Sequence, residues 1–326
     1  MKIIDTLYLP SGRIFILETD DGYIIEATEM RDVTVSGKSH IKVRETQNPQ
    51  EIWKHLVPHK DKWLLTVSTQ KGCPHNCHFC DVAPLEFKGD LTAQEIKEQI
   101  KIILKYTPVT DSNKVKIGFA RMGEPAHNID NVLRTIKDLD TISILDDKSF
   151  KWLPCFNSIL PRKTTKGRSG FGVIDEVMNV KEYDCGGFLH FQVSVNSTDE
   201  EKRKELFAGT DVLTIEEIIK HINKWDISKR TVTLNFIVME GVEVDVNKLQ
   251  KIGLNGDKYT VKLIPLNNTV RAKKKQLNTY ANYSNYEDLV ELGKKFNKIG
   301  VPTVIDAIAK CEEAGLCCGQ LAQLYL

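Results

Sequence analysis

From residue 63 onward, the sequence alternates between short apolar runs and amphipathic stretches that begin with helix-capping residues. Repeated strand–helix units favour a parallel sheet with helices packed against it. Six such units fit a partial (βα)6 barrel, so we predict an α/β fold of that kind. The apolar runs span residues 63–69, 114–119, 150–156, 188–195, 231–239 and 258–264, and a short final strand candidate spans 301–305.

Three of the amphipathic stretches begin with a threonine that is followed three residues later by a glutamate. This is the pattern of a capping box, in which each side chain satisfies a backbone N–H at the start of a helix. We therefore predict helix starts at these positions. The pairs are Thr92 with Glu95, Thr198 with Glu201, and Thr214 with Glu217.

The first 62 residues have a different pattern, in which short apolar runs alternate with turn sequences. The turns are Pro-Ser-Gly at residues 10–12 and Asp-Asp-Gly at residues 20–22. Such spacing predicts a meander of β-hairpins. We expect a small β-rich N-terminal domain over residues 1–62 and the barrel core over residues 63–326.

Directly after the first apolar run, the spacing Cys-x3-Cys-x2-Cys is formed by Cys73, Cys77 and Cys80. A cubane iron–sulfur cluster takes four ligands, so a [4Fe–4S] cluster held by three thiolates has one iron open to an outside ligand. The alternative is a structural zinc site, whose four ligands usually come from two separate hooks. Within this loop, only His75 or His78 could complete a zinc site.

Polar residues follow several of the other predicted strands. In barrels built from βα units, the chemistry sits at the carboxyl ends of the strands. We therefore expect these residues to lie around one site together with the cysteine loop. They are Gly123 and Glu124 after the second strand, Asn157 after the third, Ser194, Val195 and Asn196 at the end of the fourth, and Asn267 after the sixth.

The chain has 326 residues and a net charge of +1. Near-neutral charge does not favour broad nucleic-acid binding, although local basic loops can still contact phosphates. No apolar run approaches the roughly 20 residues that span a bilayer, and the start lacks the apolar region of a secretory signal. We expect a cytoplasmic protein without membrane contact, with cysteines that are reduced or metal-bound.

Motifs spread over residues 63–326 resemble the class A radical S-adenosylmethionine (SAM) methylases of the RlmN/Cfr type. The cysteine loop resembles that of radical SAM enzymes in general, where Phe79 occupies the position of a usual aromatic residue. The most specific match is Cys-Gly-Gln-Leu-Ala at residues 318–322. The other matching motifs are Val-Ser-Thr-Gln-Lys-Gly-Cys at 67–73, Phe-Lys-Gly-Asp-Leu-Thr at 87–92, Met-Gly-Glu-Pro at 122–125, Ser-Val-Asn at 194–196 and Ile-Pro-Leu-Asn at 264–267.

This resemblance implies two cofactors, a [4Fe–4S] cluster on the three cysteines and SAM. It implies that Glu124 accepts hydrogen bonds from the SAM amino group, and that Gly123 leaves room for the methionine part. Taken singly, the asparagines and serines would fit equally well as turn residues. The remaining implied SAM contacts are Asn157, Ser194, Val195, Asn196 and Asn267.

The resemblance also implies methylation of an adenine carbon in ribosomal RNA or tRNA. In that family, one SAM methylates the cysteine that corresponds to Cys318, and the radical from a second SAM activates the S-methyl group. The implied partners are SAM, an RNA substrate and an electron donor such as flavodoxin or ferredoxin. Alternatives are a radical SAM enzyme that acts on a small molecule, nucleotide or peptide, and a zinc-stabilised RNA-binding protein without catalysis.

The sequence departs from the family at several positions. Thr66 stands where the family has its second catalytic cysteine. The candidate replacements are Cys317, Cys311, Cys155 and Cys185, of which Cys317 is nearest to Cys318 in sequence. Asp5 corresponds to a glutamate proposed as a base in the family. The other departures are Arg121 in place of a glycine, Asn196 in place of a histidine, and a β-rich N-terminal region in place of a helical RNA-binding module.

Two basic loops follow the third and sixth predicted strands. Both should lie near the barrel mouth, where they could hold RNA phosphates. A charge run is otherwise most often a solvated loop. The first loop contains Arg162, Lys163, Lys166 and Arg168, and the second contains Arg271, Lys273, Lys274 and Lys275.

Overall fold

The computed structural model describes residues 1–32, 35–36, 41–45, 56–142, 149–279, 286–307 and 318–325. Each predicted apolar run falls on an observed strand, so the predicted α/β architecture is confirmed. The strands are β1 (Lys2–Leu9), β2 (Gly12–Glu18), β3 (Ile24–Arg31), β4 (Val35–Ser36), β5 (Ile41–Glu45), β6 (Trp63–Val67), β7 (Gln70–Lys71), β8 (Gly89–Asp90), β9 (Asp111–Phe119), β10 (Ser149–Ser158), β11 (His190–Ser194), β12 (Val232–Val238), β13 (Tyr259–Pro265) and β14 (Thr303–Ala307).

Helices follow the strands of the parallel unit. They are α1 (Ala93–Tyr106), α2 (Ile129–Lys137), α3 (Gly170–Asn179), α4 (Glu200–Leu206), α5 (Ile215–Ile222), α6 (Val246–Lys251), α7 (Val270–Lys274) and α8 (Glu287–Lys298). Short 3₁₀ turns lie at Leu139–Thr141 and Ala322–Leu324, and a π-helical turn lies at Val180–Asp184.

Two of the three predicted capping boxes are confirmed. The side chains of Thr92 and Thr214 each accept a hydrogen bond from the backbone three residues on, and the glutamate there returns the bond. The third prediction is wrong by one residue, because Asp199 rather than Thr198 caps α4. The Thr198 hydroxyl instead contacts the carbonyl of Glu243, 3.2 Å away.

Twelve of the strands form one sheet in the described part of the chain, in the order β1-β2-β3-β6-β9-β10-β11-β12-β13-β14-β5-β4. The run from β6 through β9, β10, β11, β12, β13 and β14 to β5 is parallel throughout. The carboxyl ends of these strands therefore meet at one edge, which is where the sequence predicts the site.

The N-terminal strands join this sheet directly. β1, β2 and β3 form an antiparallel meander, as the turn sequences predict, and β3 then pairs antiparallel with β6. At the other end of the parallel run, β5 pairs with β14 and β4 pairs antiparallel with β5. A domain boundary near residue 62 remains a prediction.

The two faces of the parallel strands differ in polarity. Phe156 on β10 and Phe191 on β11 are opposite each other in register and fully buried, with ring centroids 6.0 Å apart. The next residues along the same strands, Asn157 and Gln192, point to the opposite face, because side chains alternate along a strand. Gln192 accepts a hydrogen bond from Asn235 of β12 over 3.0 Å. One face of the sheet is therefore apolar and packs against the helices, and the opposite face, which forms the interior, is polar.

Within the described residues, no helix has both the length and the apolar character needed to cross a membrane.

Candidate functional site

The three cysteines lie on a loop at the carboxyl end of β6, here called the cysteine loop (residues 73–80). Cys77 is buried, and Cys73 and Cys80 are partly buried. Burial, reinforced by the neighbouring thiols, raises the pKa of Cys77 well above its usual range. Burial and the nearby Cys318 raise the pKa of Cys80 to about 12. These thiols stay protonated in the free protein, and a bound positive centre would convert them to thiolate ligands.

The loop after β13 clamps the cysteine loop from one side. The Arg271 guanidinium donates to the carbonyls of Cys77 and Asn76 over 2.8 and 3.0 Å. The carboxylate of Asp81 accepts the backbone N–H groups of Val270 and Arg271 at the start of α7. Arg271, predicted as a phosphate contact, therefore holds the cysteine loop in place.

Two histidines fix the cysteine loop from the other side. The His127 Nδ1 atom accepts the backbone N–H of Thr165 over 3.0 Å, so neutral His127 carries its proton on Nε2. That N–H donates to Nε2 of His75 over 2.8 Å, which leaves His75 protonated on Nδ1, 3.2 Å from the Thr210 hydroxyl. Burial lowers the pKa of both histidines to about 4. The backbone N–H of Thr165 therefore determines the tautomers of both neutral histidines and the direction of each hydrogen bond between them.

Glu124 lies in the turn after β9, and its carboxyl is buried. Its two oxygens accept the backbone N–H groups of Ile159 and Ala126, each over 3.1 Å. Burial raises its pKa to about 7, although these hydrogen bonds oppose the rise. A buried carboxyl that titrates near neutrality is suited to receive an ammonium group, which would favour its ionised form.

Gly123, next to it, has a positive φ of 98°. A Cβ atom at this position would lie 2.6 Å from the Cβ of Gln70. The Gln70 side chain in turn accepts the backbone N–H of Glu124 over 2.8 Å. Glycine is therefore required here by packing against Gln70, a different physical reason from the predicted room for SAM.

Ser194 ends β11 and is partly buried, and Val195 and Asn196 follow it fully buried. Asn196 has a left-handed backbone with φ of 66°, a conformation that asparagine tolerates. Its side-chain oxygen accepts the N–H of Ile237 over 3.2 Å. Its amide nitrogen is buried with no hydrogen-bond partner among the described residues, so a donor is available there.

The other two predicted SAM contacts lie in different surroundings. Asn157 is partly buried on the polar interior face of β10, and its side-chain oxygen is 3.4 Å from the Cys155 sulfur. Asn267 is exposed in the loop after β13. Their roles toward SAM remain predictions.

Cys318 lies beside the cysteine loop on a tight C-terminal turn, here called the Cys318 turn (residues 318–322). Gly319 has φ of 82°, and a Cβ there would lie 2.8 Å from the backbone nitrogen of Val82. The Gln323 side chain donates to the carbonyl of Asp81. A residue larger than glycine would push the turn away from the cysteine loop, so the matching motif is explained by close packing.

A buried carboxylate from the N-terminal meander anchors this turn. Glu26 on β3 is fully buried, and its oxygens accept the N–H groups of Gly319, Leu321 and Ala322 over 3.1, 3.0 and 2.8 Å. Successive backbone donors aimed at one carboxylate form an anion-binding nest. The N-terminal strands therefore help to hold Cys318 at the site.

Arg121 connects the anchor to the thiol. Its guanidinium pairs with Glu26 over 2.5 Å and approaches the Cys318 sulfur to 3.9 Å. The sulfur itself lies 3.6 Å from the carbonyl of Ala120. Burial raises the pKa of the Cys318 thiol, and the positive charge of Arg121 opposes that rise.

Sequence reasoning did not identify Glu26 and treated Arg121 only as a departure from a family glycine. The sequence signal that could have identified them is that Glu26 and Arg121 carry opposite charges at positions where an apolar or a small residue is expected. Nothing in the sequence indicated that residues 26 and 121 meet.

Other predicted residues are not brought together with Cys318 by the contacts seen. Asp5 lies exposed on the edge strand β1 and accepts a hydrogen bond from Tyr325 over 2.5 Å. Thr66 on β6 hydrogen-bonds Thr28 across the strand pair over 2.8 Å. Cys317 and Cys311 lie outside the described residues, so the replacement of the second cysteine remains a prediction.

The first basic loop is engaged within the protein. Arg162 pairs with Glu217 and Asp211, Arg168 pairs with Asp130 and Glu176, and Lys166 pairs with Asp90. In the second loop, Lys273, Lys274 and Lys275 are exposed. The second loop is therefore the better candidate for phosphate contacts.

The ligand set of the cysteine loop fits an iron–sulfur cluster. Zinc ligands must all lie about 2.0–2.3 Å from a single centre, whereas each thiolate of a cubane binds its own iron. Cys77 is buried, Cys73 and Cys80 are partly buried, and the three thiols influence one another's pKa. Three thiols in one short loop suit a cluster with one iron open to an outside ligand.

No family model matches the chain. In structure, it is similar to a radical SAM methyltransferase from Sphaerobacter thermophilus, with a TM-score of 0.65, 18% identity, and coverage of 98% of this chain and 80% of that one. The likeness includes the N-terminal strands, which lie within that coverage. The parallel βα unit and the cysteine loop at its carboxyl edge thus define the radical SAM class of fold.

In sequence, the chain is 30% identical over 282 residues to the dual-specificity RNA methyltransferase RlmN of Desulfosudis oleivorans, covering 85% of this chain and 69% of the relative. It is 26% identical over 264 residues to the RlmN of Helicobacter hepaticus, covering 79% of this chain and 63% of that relative. The chain belongs to the RlmN family. It spans less than two thirds of the length of the Helicobacter hepaticus relative.

Proposed function

We propose that this protein is a radical SAM enzyme that methylates an adenine carbon of RNA through an S-methylcysteine on Cys318. The observation that carries the proposal is the packing of the Cys318 turn on the segment that directly follows the cysteine loop, with Gly319 against Val82. The matching names of the family relatives support the RNA part.

In this proposal, Cys73, Cys77 and Cys80 would hold a [4Fe–4S] cluster, which would supply the electron for the reductive cleavage of SAM. Glu124 accepts the SAM ammonium group, since its buried carboxylate gains from a positive partner. Gly123, Ser194, Val195, Asn196, Asn157 and Asn267 line the rest of the SAM site. The amide nitrogen of Asn196, which is buried without a hydrogen-bond partner among the described residues, would donate to an acceptor on SAM.

Cys318 is the nucleophile of the first methyl transfer. Its sulfur forms a bond to the methyl carbon of one SAM while the carbon–sulfonium bond breaks, and S-adenosylhomocysteine leaves. The thiol proton is lost to solvent before attack, and Arg121 stabilises the thiolate electrostatically. Release of the methylated product needs a second thiolate that attacks the Cys318 sulfur, so that a disulfide forms while the sulfur–carbon bond breaks and the carbon takes up a proton. Cys317 is the candidate, because Thr66 cannot form a disulfide.

Three further assignments belong to the same proposal. The exposed Lys273, Lys274 and Lys275 contact RNA phosphates near the site. Flavodoxin or ferredoxin donates the electron, and the protein acts in the cytoplasm. Asp5 would serve as the base only if RNA binding brings β1 over the site.

The test of the cysteine relay is mass spectrometry of the peptide that contains Cys317 and Cys318, from protein purified anaerobically with its cluster. We expect one additional methyl group on Cys318, and none in the Cys318→Ala variant. An unmodified Cys318 in protein that contains the cluster and cleaves SAM would refute the relay.

The test of the RNA assignment uses the double variant Lys273→Gln/Lys274→Gln and an RNA hairpin with unpaired adenines. We expect weaker binding and a salt dependence lower by roughly two in log–log slope, one per lysine. The matched control is Lys101→Gln/Lys251→Gln on α1 and α6, which should bind like wild type. Equal binding by both double variants would contradict the assignment.

A second candidate substrate is a small molecule, nucleotide or peptide acted on by the same radical chemistry. The observation that favours it is the internal pairing of Arg162, Lys166 and Arg168, which leaves fewer cations for an RNA backbone. Methylated Cys318 together with no measurable RNA affinity would support this alternative.

A further inference from the structure

A second cavity opens at the other end of the parallel strands. It has a volume of about 1050 Å³ and lies at the amino edge of the sheet, away from the cysteine loop. Lys62 just before β6, Arg230 just before β12 and Lys42 on β5 all line it. Strands from both ends of the parallel run contribute, so the sheet curves around this space.

The lining is strongly basic. Six lysines and one arginine contribute to it, and the described lining residues include no aspartate or glutamate. Behind the lining, Asp32 pairs with Lys62, and Asp306 pairs with Lys262 over 2.6 Å. Among the described residues, the lining carries seven cationic groups against these two carboxylates, and a positively charged lining concentrates anions.

The pKa of His190, at the start of β11, responds to the positive charge of this lining. Its Nδ1 atom lies 3.2 Å from the Gln192 amide nitrogen, which donates to it, so its Nε2–H faces the Thr233 hydroxyl at 2.8 Å. Burial lowers its pKa well below the usual range, and Lys116, Arg230 and other nearby cations lower it further. His190 therefore adds a neutral polar group to a lining whose charge comes from lysine and arginine.

One donor in the wall has no hydrogen-bond partner. The Nε of Arg230 is buried without a partner in the part of the chain that the structure describes, and Arg230 lines the cavity. Buried donors are nearly always paired in native proteins, so this guanidinium points to a ligand that supplies acceptor oxygens.

An aromatic surface borders the basic cavity. Phe188 is 54% exposed and lines both this cavity and a neighbouring one of about 620 Å³. The neighbouring cavity is also lined by Trp152 and Leu153. A ring that stands exposed beside a cluster of cations can stack on a nucleobase whose phosphates reach those cations.

We propose that this cavity binds a small molecule with two or more phosphate groups, either an inorganic polyphosphate or a nucleoside polyphosphate. Phosphate oxygens accept strong charge-assisted hydrogen bonds from arginine and lysine. The donors lie inside a concave site rather than along an open surface, which favours a small polyanion over an RNA backbone. The proposal does not depend on the methyl-transfer chemistry at the opposite end.

The experiment is titration calorimetry of the full-length protein, with tripolyphosphate as one probe and ATP as the other. We expect binding of one equivalent of each probe. In the variant Lys229→Gln/Arg230→Gln, the affinity should fall by about tenfold or more, since charge-assisted hydrogen bonds are lost. The control Lys101→Gln/Lys251→Gln removes the same charge elsewhere and should leave the affinity unchanged.

The two probes distinguish the two sources of phosphate. Tighter binding of ATP would assign the nucleoside to Phe188, and equal binding would assign the site to the phosphates alone; either result supports the proposal. Absence of binding by both probes, or equal losses in the two double variants, would overturn it. So would a weaker RNA affinity in Lys229→Gln/Arg230→Gln with polyphosphate binding unchanged.

The single variant Lys229→Gln guards against misfolding, because Lys229 is exposed. It should keep the unfolding temperature of wild type and still weaken tripolyphosphate binding. Unchanged binding in a folded Lys229→Gln, together with an unfolded double variant, would count against the proposal.

Discussion

The buried anchor of the Cys318 turn gives the sharpest prediction. Glu26→Gln keeps the size of the side chain but removes its charge and replaces one acceptor oxygen with a donor. The three N–H groups of Gly319, Leu321 and Ala322 then lose their shared carboxylate. Arg121, 5% exposed, loses the carboxylate with which it pairs over 2.5 Å.

The magnitude follows from the burial of the pair. Removing one partner of a buried ion pair typically costs about 3–5 kcal/mol, because the other charge remains buried and uncompensated. We expect the cost to appear as local opening of the Cys318 turn, since the lost bonds hold that segment against β3. Each ~1.4 kcal/mol is a factor of ten in an equilibrium, so opening should increase by roughly two to three and a half orders of magnitude.

Amide hydrogen exchange measured by mass spectrometry tests this directly. The peptide that contains residues 318–325 should exchange faster in Glu26→Gln by roughly two to three and a half orders of magnitude, provided that exchange follows local opening. The matched control is Glu29→Gln on the same strand. Glu29 is also buried and paired, but with His59, Arg13 and the Trp63 indole.

Glu29→Gln should lower the global free energy of unfolding without accelerating exchange in the 318–325 peptide. If both variants accelerate that peptide equally, the effect is global and the anchoring role is wrong. If neither does in folded protein, the hydrogen bonds to Glu26 do not hold the turn.

Two further predictions concern the SAM edge of the sheet. Gly123→Ala combines a positive φ with a Cβ clash, whereas residue 209 has a φ of 80° and open space around it. The backbone conformation alone costs roughly 1–2 kcal/mol, so Gly123→Ala should reduce the free energy of unfolding by more than Gly209→Ala. Similar losses for the two variants in urea titrations would refute the clash. Glu124 has a folded pKa raised to about 7 by burial, so the ionised form that binds an ammonium group is lost as pH falls below 7. SAM affinity, measured by calorimetry from pH 8 to pH 6, should therefore fall by up to about tenfold per unit below pH 7, and Glu124→Gln should bind weakly at every pH; a wild-type affinity that does not change with pH would contradict the role of Glu124.

Several features of the site follow from local sequence alone. The apolar runs and the Thr92 and Thr214 caps predict the βα units because period and capping depend on neighbouring residues. The cysteine loop is similarly local, since its three thiols lie within eight residues. Parallel pairing then brings the turn of Gly123 and Glu124 to the same edge as that loop.

Capping by Asp199 in place of Thr198 shows the limit of such local patterns. Both residues are good caps, and Glu201 stands three positions after Thr198, as the capping box requires. The choice between them was made by tertiary contacts, because the Thr198 hydroxyl instead bonds to Glu243, 45 positions away.

The sequence by itself determined the alternation of strands and helices, the three-thiol loop, and the C-terminal motif that contains Cys318. The folded chain was needed to show that Glu26 and Arg121 hold that motif beside the loop, and that cations from five strands and their preceding turns surround one cavity at the opposite edge. Periodicity and spacing report which residues face a core or a turn. They carry no information on which distant charges meet, because that depends on the order of strands in the sheet and on its curvature.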